Sequence, residues 1–170
     1  MSPPGTVGVV GDAERAISNL LAEYAERIDA GDFDGVADLL AKAEVGAEGE
    51  AGSIRGREAV AGLYRATTRR YGDGTPRTRH LTSNLWLAVD EEAGTAEARS
   101  SFTVLQATEG LPLQPIVVGR YLDRFERHEG RWRFAERRFR TDLVGDVSRH
   151  LLPGAMSTRG ERPAEYGGTP

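Results

Sequence analysis

The stretch TRHLTSNLWLAVDEEAGTAEARS, residues 78–100, decides the fold of this chain. Before this stretch, apolar residues recur every three or four positions. Within it they alternate with polar residues, which is the period of a β-strand. The segment DEEAG, residues 90–94, interrupts the alternation with the composition of a turn. The stretch therefore predicts a β-hairpin, and the same pattern continues beyond it. Four strands are predicted in all, at 79–89, 95–107, 114–127 and 131–143.

Amphipathic helices precede these strands. From Ile17 to Ile28 apolar residues recur at intervals of three and four, and Gly31 suits the left-handed position that ends a helix. Asp32 is a good cap for a second, shorter helix. The stretch at 43–53 is small and acidic and gives only a weak strand signal. Helices are thus predicted from Asp12 to about Gly31, from Asp32 to Leu40, and over 57–70. Helices on one face of an antiparallel sheet make an α+β domain.

Composition narrows the class of protein. The chain has 170 residues, a net charge of -4 and no cysteine. This length suits one domain, and the absence of cysteine excludes disulfides, zinc–thiolate sites and a thiol nucleophile. The charges are interspersed, so we expect no nucleic-acid partner, and no apolar run is long enough for a membrane span. The start lacks the pattern of a secretory signal, which predicts a cytoplasmic location.

The domain organisation follows from the ends of these patterns. Residues 1–11 are rich in Gly and Pro and are expected to be a flexible N-terminus. The domain is expected to span residues 12–144. The tail at 145–170 is expected to be disordered or to fold back as a lid through RHLL, residues 149–152.

Three segments resemble a known family. EYAERIDAGDFDGVADLL (23–40) is similar to the first-helix region of SnoaL-like domains, which belong to the nuclear-transport-factor-two-like superfamily. TRHLTSNLWLAVDEEAGTAEARS (78–100) and GRYLDRFERHEGRWRFAERR (119–138) resemble their sheet. The resemblance implies a cone-shaped, barrel-like α+β domain, with three N-terminal helices packed on a curved, mostly antiparallel sheet around a small-molecule pocket. Members of this superfamily are commonly dimers and sometimes trimers.

The resemblance also implies a catalytic pair. Scytalone dehydratase and hexachlorocyclohexane dehydrochlorinase place an Asp at the end of the first helix and a His at the start of the first long strand. Asp29 and His80 fall on those positions. A carboxylate bonded to one ring nitrogen raises the basicity of the other, so the pair could act as a general base in an apolar pocket. A structural role for His80 as a hydrogen-bonding strand residue stays open.

Further pocket residues follow from the strand period. His80, Thr82, Asn84 and Trp86 share one face of a regular strand, which we assign to the pocket. The opposite face, which carries most of Leu81, Leu85, Leu87 and Val89, then needs cover, which a partner subunit would supply. Arg138 is considered as a ligand for a carboxylate or phenolate, although a solvent-facing or ion-paired role is the plainer interpretation. The resemblance adds Tyr24, which matches the oxyanion-binding tyrosine of ketosteroid isomerase, and Ser100, which falls where the dehydratase has a second His. The predicted substrate-binding residues are thus Tyr24, Asn84, Trp86, Ser100, Tyr121 and Arg138.

The sequence thus predicts a cofactor-independent lyase or isomerase, of the dehydratase or cyclase type. The substrate would be small and apolar, and aromatic or polyketide-like. No phosphate loop, HExxH motif or nucleophile elbow is present, and three scattered histidines do not suggest a metal site. Two alternatives stay open, a non-catalytic binding domain and a small subunit that partners a larger enzyme.

Overall fold

The protein is an α+β domain in which three helices cover one face of a six-stranded sheet. A computed structural model describes residues 11–49 and 52–155, so most of the predicted N-terminus and the last part of the tail lie outside the described residues. The helices are α1 Asp12–Asp29, α2 Phe33–Leu39 and α3 Arg57–Thr67. The strands are β1 Glu44–Ala47, β2 Ser53–Arg55, β3 Thr78–Asp90, β4 Thr95–Thr108, β5 Leu111–His128 and β6 Arg131–Val144.

The sequence-predicted elements are present with small shifts at their ends. The four long strands match β3 to β6 within a few residues, and the third helix is three residues shorter than predicted. The weak strand signal at 43–53 corresponds to β1 and β2. The sheet has the order β2-β1-β6-β5-β4-β3, with all pairs antiparallel except β1 and β6. It is curved and does not close into a barrel.

The turn between α1 and α2 is fixed by two residues. Gly31 has a φ of 73°, and a Cβ atom built there would lie 2.2 Å from the carbonyl oxygen of Gly74. Only glycine meets both demands without strain. Asp32 then caps α2, since its carboxylate accepts a hydrogen bond of 2.8 Å from the amide of Gly35. This tight turn holds the last residue of α1, Asp29, against the sheet.

Two bulges change which side chains face the helices. Ser83 pairs with Ser101 and Trp86 pairs with Arg99, so Asn84 and Leu85 together oppose one residue of β4. Near the other end of the sheet, Phe134 pairs with Phe125 whereas Glu136 pairs with Arg124, which leaves Ala135 as an extra residue in β6. A bulge of this kind exchanges the faces of the side chains that follow it, up to the next irregularity of the strand.

The core lies between α1 and the inner face of the sheet. Ile17, Leu21, Tyr24 and Ile28 of α1 are buried against β-strand residues. The inner face forms cross-strand rows, because paired residues point the same way. In order from the start of β3, the rows include His80–Val104–Val117, Thr82–Phe102–Gly119, Ser100–Tyr121–Phe139, Ala98–Asp123–Arg137 and Ala96–Phe125–Phe134.

The segment after β6 folds back onto the domain as far as it is described. Leu151 forms an isolated bridge with Thr68, and the amide of Arg69 donates to the carbonyl oxygen of His150 at 2.8 Å. The hydroxyl of Tyr71 donates to the carbonyl oxygen of Arg149 at 2.6 Å. These contacts place 149–152 across the end of the sheet where β3 begins, whereas movement of this segment as a lid stays a prediction. Among the described helices none is long and apolar enough to cross a bilayer.

Candidate functional site

The two predicted catalytic residues meet at the junction of α1 and β3. Asp29 is the last residue of α1, and His80 is the third residue of β3. The Nδ1 atom of His80 lies 2.6 Å from Oδ1 of Asp29. The backbone amide of His80 donates to Oδ2 of Asp29 at 2.8 Å, and the hydroxyl of Thr78 donates to Oδ1 at 2.8 Å. The carboxylate is therefore held by three contacts from one short stretch of strand.

The charge on Asp29 follows from these contacts. Burial raises the pKa of its carboxyl group, but the hydrogen bond and charge of His80, the amide of His80 and the hydroxyl of Thr78 outweigh burial and leave the pKa below its ordinary value of 3.8. Asp29 is thus ionised at neutral pH and can only accept hydrogen bonds. The proton between the two side chains must then sit on Nδ1 of His80. This tautomer leaves the lone pair of Nε2 as the basic site.

The pair lies at the edge of a packed interior. The side chains of His80 and Asp29 are 9% and 4% exposed. Thr82, the next residue of β3 on the inner face, is exposed, so solvent reaches that face one position beyond His80. Two surface depressions in the described residues, one along α1 and one at the β5–β6 turn, are lined by other residues.

Aromatic side chains fill the space behind the pair. The rings of Phe102 and Tyr121 stack with centroids 4.4 Å apart, and Tyr24 meets Tyr121 edge-on at 5.9 Å. A Cβ atom at Gly119 would lie 2.6 Å from Cζ of Phe102. Phe102 therefore lies directly against the backbone of Gly119.

A buried ion pair occupies the centre of the interior. Arg137 donates from Nε and Nη2 to the two carboxylate oxygens of Asp123 at 2.8 and 2.9 Å. Its guanidinium carbon lies 4.0 Å from the ring centroid of Tyr24 and 4.1 Å from that of Tyr121. Burial raises the pKa of Asp123, and the nearby charge of Arg137 offsets part of this rise. Arg137 keeps its proton, because Asp123 counteracts the effect of burial.

Three of the predicted substrate-binding residues lie in this interior. Tyr24 is buried, and its hydroxyl lies 2.9 Å from that of Tyr64. Burial raises the pKa of Tyr121 well above its ordinary value, with the neighbouring Tyr24 adding to the effect, so its hydroxyl stays neutral. Ser100 pairs in register with Tyr121, and its Oγ is buried with no hydrogen-bond partner in the described structure.

Two other predicted residues, Asn84 and Trp86, are not in the interior, which corrects the sequence-based assignment. The bulge at Asn84 and Leu85 turns Trp86 to the outer face, where its ring is 45% exposed and stacks at 4.1 Å from the guanidinium carbon of Arg99. Asn84 is exposed, with a φ of 52°, and its amide lies 3.5 Å from the hydroxyl of Ser101. A regular alternation, which assumes no bulge, therefore fails after Ser83.

The assignment of Arg138 to the pocket, made from the sequence, is also corrected by the structure. Its side chain pairs with Glu136, at 2.8 Å, and with Glu44 of β1. The extra residue Ala135 explains the error, because it brings Arg137 rather than Arg138 onto the face of Phe134. The plainer interpretation of Arg138, an ion pair with Glu136, is the correct one.

The pocket residues predicted from the sequence therefore do not include Arg137 and Asp123. One signal for them was available, since alternation places Asp123 on the same face as Tyr121 and Phe125. A carboxylate between two inward aromatic residues requires a buried cation. The partner itself was hidden by the bulge. In residues 11–49 and 52–155 no cluster of three or more His, Asp or Glu side chains is arranged to hold a metal ion.

Comparisons with known proteins agree with this architecture. Residues 11–138 match the family model described as the SnoaL-like domain. No curated protein sequence matches the chain. Among solved structures, an Asp-to-Asn variant of a Mycobacterium tuberculosis protein of unknown function is 29% identical, with 81% of this chain and 79% of that chain covered and a TM-score of 0.62.

Two further structures come from Novosphingobium aromaticivorans. One, named "Putative Scytalone Dehydratase", is 24% identical, with 88% of this chain and 95% of that chain covered and a TM-score of 0.62. The other, the beta subunit of a "putative aromatic-ring-hydroxylating dioxygenase", is 19% identical, with 78% and 91% covered and a TM-score of 0.61. At these identities the likeness concerns the fold.

Proposed function

Because this chain belongs to the SnoaL-like domain family, we propose that it is a cofactor-independent lyase or isomerase, of the dehydratase or cyclase type. The substrate would be a small apolar molecule, aromatic or polyketide-like. One observation carries the proposal, the 2.6 Å contact between Nδ1 of His80 and a buried, ionised Asp29. A pair of this kind is built to move a proton.

The proposed reaction begins with proton transfer from a substrate carbon to Nε2 of His80. The electrons of the broken C–H bond form a carbon–carbon double bond, and the bond to a leaving hydroxyl breaks. The proton on Nε2 then passes to that hydroxyl, which departs as water, and His80 returns to its neutral form. Asp29 stabilises the imidazolium between the two transfers. Tyr121 and Ser100 stand deeper on the same face and would polarise a substrate oxygen.

The first prediction tests the role of His80. The purified protein is incubated with a panel of β-hydroxy ketones in D₂O, and water loss and deuterium uptake beside the carbonyl are followed by NMR. His80→Gln should lower the rate by about a hundredfold or more, because general-base catalysis typically contributes that much. Asp29→Asn should act in the same direction.

His128→Gln is the matched control for this experiment. His128 lies in β5 next to the β5–β6 turn with an exposed side chain, so the same substitution there should leave turnover unchanged. Full activity in His80→Gln, with the fold intact by circular dichroism, would exclude the pair as the base.

A second candidate function is a small subunit or binding domain without catalysis. The exposed apolar side chains on the outer face of the sheet support it, since such patches mark interaction sites. Copurification with a larger enzyme subunit, and no turnover by the isolated chain, would favour this function. A homodimer or trimer and the cytoplasmic location stay predictions from the sequence.

A further inference from the structure

The carboxylate of Asp29 has an uneven distribution of hydrogen bonds. Its Oδ1 atom accepts from the hydroxyl of Thr78 at 2.8 Å and lies 2.6 Å from Nδ1 of His80. In the described structure, Oδ2 accepts one hydrogen bond, from the backbone amide of His80 at 2.8 Å. A carboxylate oxygen offers about two lone pairs, so the two side chains together fill Oδ1. The atom that holds the imidazole therefore shares its negative charge with a hydroxyl group.

The hydroxyl of Thr78 is held in place by the entrance to β3. Thr78 is the first residue of that strand and is 5% exposed. The residue before it, Arg77, has a φ of 56°, a strained conformation for a residue with a Cβ atom, and such strain is concentrated at functional sites. Gln106, which pairs with Thr78 on β4, donates from Nε2 to the carbonyl oxygen of Pro76 at 2.9 Å. The turn into the strand thus fixes the backbone that presents the hydroxyl to Asp29.

The two inner rows that contain Thr78 and His80 are otherwise neutral. They are Thr78–Gln106–Gln114 and His80–Val104–Val117. Deeper on the same face lie Tyr121, whose hydroxyl stays neutral, and the ion pair of Arg137 with Asp123, whose charges balance. Thr78 is therefore the side chain that shares the carboxylate of Asp29 with His80.

Charged side chains on the neighbouring elements do not depend on residue 78. Arg27 of α1 pairs with Glu23 at 2.6 Å, and Arg77 pairs with Asp73 at 3.1 Å in the loop before β3. The loop, the outer face of β3 and the segment after β6 also carry Arg69, Arg70, Arg79, Asp146, Arg149 and His150. These groups are the same in every variant of residue 78, so a difference between such variants reports on the hydroxyl.

We propose that Thr78 is a positioning residue for the proposed base, in which its hydroxyl group limits how strongly Asp29 holds a proton on the imidazole of His80. The inference rests on the proposed function in taking His80 as the base. It adds a residue that acts on the imidazole only through Asp29.

A hydrogen bond to Oδ1 weakens the attraction between Asp29 and an imidazolium. The hydroxyl hydrogen carries a partial positive charge, and it binds the same oxygen as Nδ1–H. Burial raises the pKa of Asp29, whereas the hydrogen bonds from His80 and Thr78 lower it, which agrees with a carboxylate whose charge is shared. A base of moderate strength suits the proposed reaction, because the imidazole must take a proton from carbon and then release it to the leaving hydroxyl.

The test is an NMR titration of the ring of His80 in the isotope-labelled protein, which requires no substrate. The ring resonance is identified by its absence from His80→Gln. In Thr78→Val, the midpoint of the titration should move upward by about 0.5 to 1 pH unit, because Oδ1 then holds the imidazolium without a competing donor. Thr78→Ser keeps a hydroxyl and should keep the wild-type midpoint.

Thr95→Val is the matched control for this substitution. Thr95 is the exposed first residue of β4, at the opposite end of that strand from Gln106, so valine there should leave the titration of His80 unchanged. Thr78→Ala is a second variant without the hydroxyl and should act like Thr78→Val. Circular dichroism checks that each variant is folded. An unchanged or lower midpoint in a folded variant without the hydroxyl would overturn the proposal.

A double-mutant cycle separates action through Asp29 from a general effect on the fold. Asp29→Asn removes the charge that the hydroxyl is proposed to share. Adding Thr78→Val to Asp29→Asn should therefore move the midpoint by less than about 0.2 pH unit. A shift as large as that in the wild-type background would contradict the role of Asp29 as the intermediary.

The titration also separates this inference from the proposed function. A midpoint that depends on Thr78, in a protein that turns over none of the β-hydroxy ketones, would leave the coupling standing and remove only the lyase. Where turnover is observed, the acid limb of the pH–rate profile should move with the midpoint in Thr78→Val, and KM should stay unchanged. Turnover with a midpoint that is independent of Thr78 would leave the base and remove the positioning residue.

Discussion

Asp29 occupies a position that is unfavourable for an isolated acid. It ends α1, where the helix dipole opposes negative charge. The hydroxyl of Thr78 and two nitrogens of His80 offset that cost by hydrogen bonding to the carboxylate. The acid is thus stabilised by β3 and not by its own helix, so its ionisation depends on the tertiary structure.

The second prediction concerns stability and pH at this residue. The pKa of Asp29 in the folded protein lies below its ordinary value of 3.8. Ionised Asp29 therefore stabilises the fold at pH values above about 4, and this contribution is lost as pH falls through the lower folded pKa. Asp29→Asn should lower the free energy of unfolding at pH 6 by about 2 kcal/mol, because charge-assisted hydrogen bonds are weakened.

Urea denaturation of both proteins between pH 6 and pH 2.5 checks this result. The difference between wild type and Asp29→Asn should be constant down to about pH 4 and should shrink below it. A difference that does not change with pH would mean that Asp29 is not ionised in the folded protein.

At the scale of the strand, β-bulges determine which side chains face the interior. In β3 the two residues Asn84 and Leu85 oppose one residue of β4, and in β6 the extra Ala135 has the same effect. The first removes Trp86 from the interior, and the second brings in Arg137. Because a one-residue slip exchanges the two faces of a strand, each bulge decides the polarity of the interior beyond it.

The third prediction tests the turn that presents Asp29. Gly31→Ala should destabilise the protein by about 2 kcal/mol, since alanine disfavours a positive φ and its Cβ would meet the carbonyl oxygen of Gly74. Thermal denaturation measures the loss.

Gly62→Ala provides a matched control for this substitution. Gly62 lies within α3, and no atom is found within 4 Å of a Cβ built there. Alanine should therefore stabilise the protein by about 0.5 to 1 kcal/mol through helix propensity. The same chemical change should thus have opposite signs at the two sites, and equal effects would contradict the role given to the α1–α2 turn.

At the scale of the whole molecule, the outer face of the sheet exposes apolar side chains. Leu81, Thr103, Val118 and Leu143 pair in one cross-strand row on the side away from the helices. Leu81 is 51% exposed and Leu143 is 60% exposed. We call Leu81, Val118 and Leu143 the outer row. Exposed leucines on a sheet face cost free energy in water and favour a partner that covers them.

The fourth prediction is self-association through the outer row. The wild-type protein should elute as a dimer or trimer, and the double variant Leu81→Arg and Leu143→Arg should be monomeric by light scattering, because charges on this surface oppose its burial. Leu113→Arg is the control, since Leu113 is also exposed but lies near the β4–β5 turn, away from the outer row. A monomeric wild type would contradict the prediction.

The sequence by itself determined the order and period of the elements and the family. Local signals sufficed for these features, because helix caps, strand alternation and turns depend on neighbouring residues. The sequence also indicated Asp29 and His80 through the resemblance, and their contact in the structure agrees with that placement. Their catalytic role stays a proposal.

Only the tertiary structure decided which side chains share the interior. Asn84, Trp86 and Arg138 were assigned by assuming regular strands, and the two bulges place them elsewhere. A bulge depends on how one strand pairs with another, so no local pattern in either strand reports it. The pairing of Asp123 with Arg137, and with it the polar centre of the domain, arises for the same physical reason.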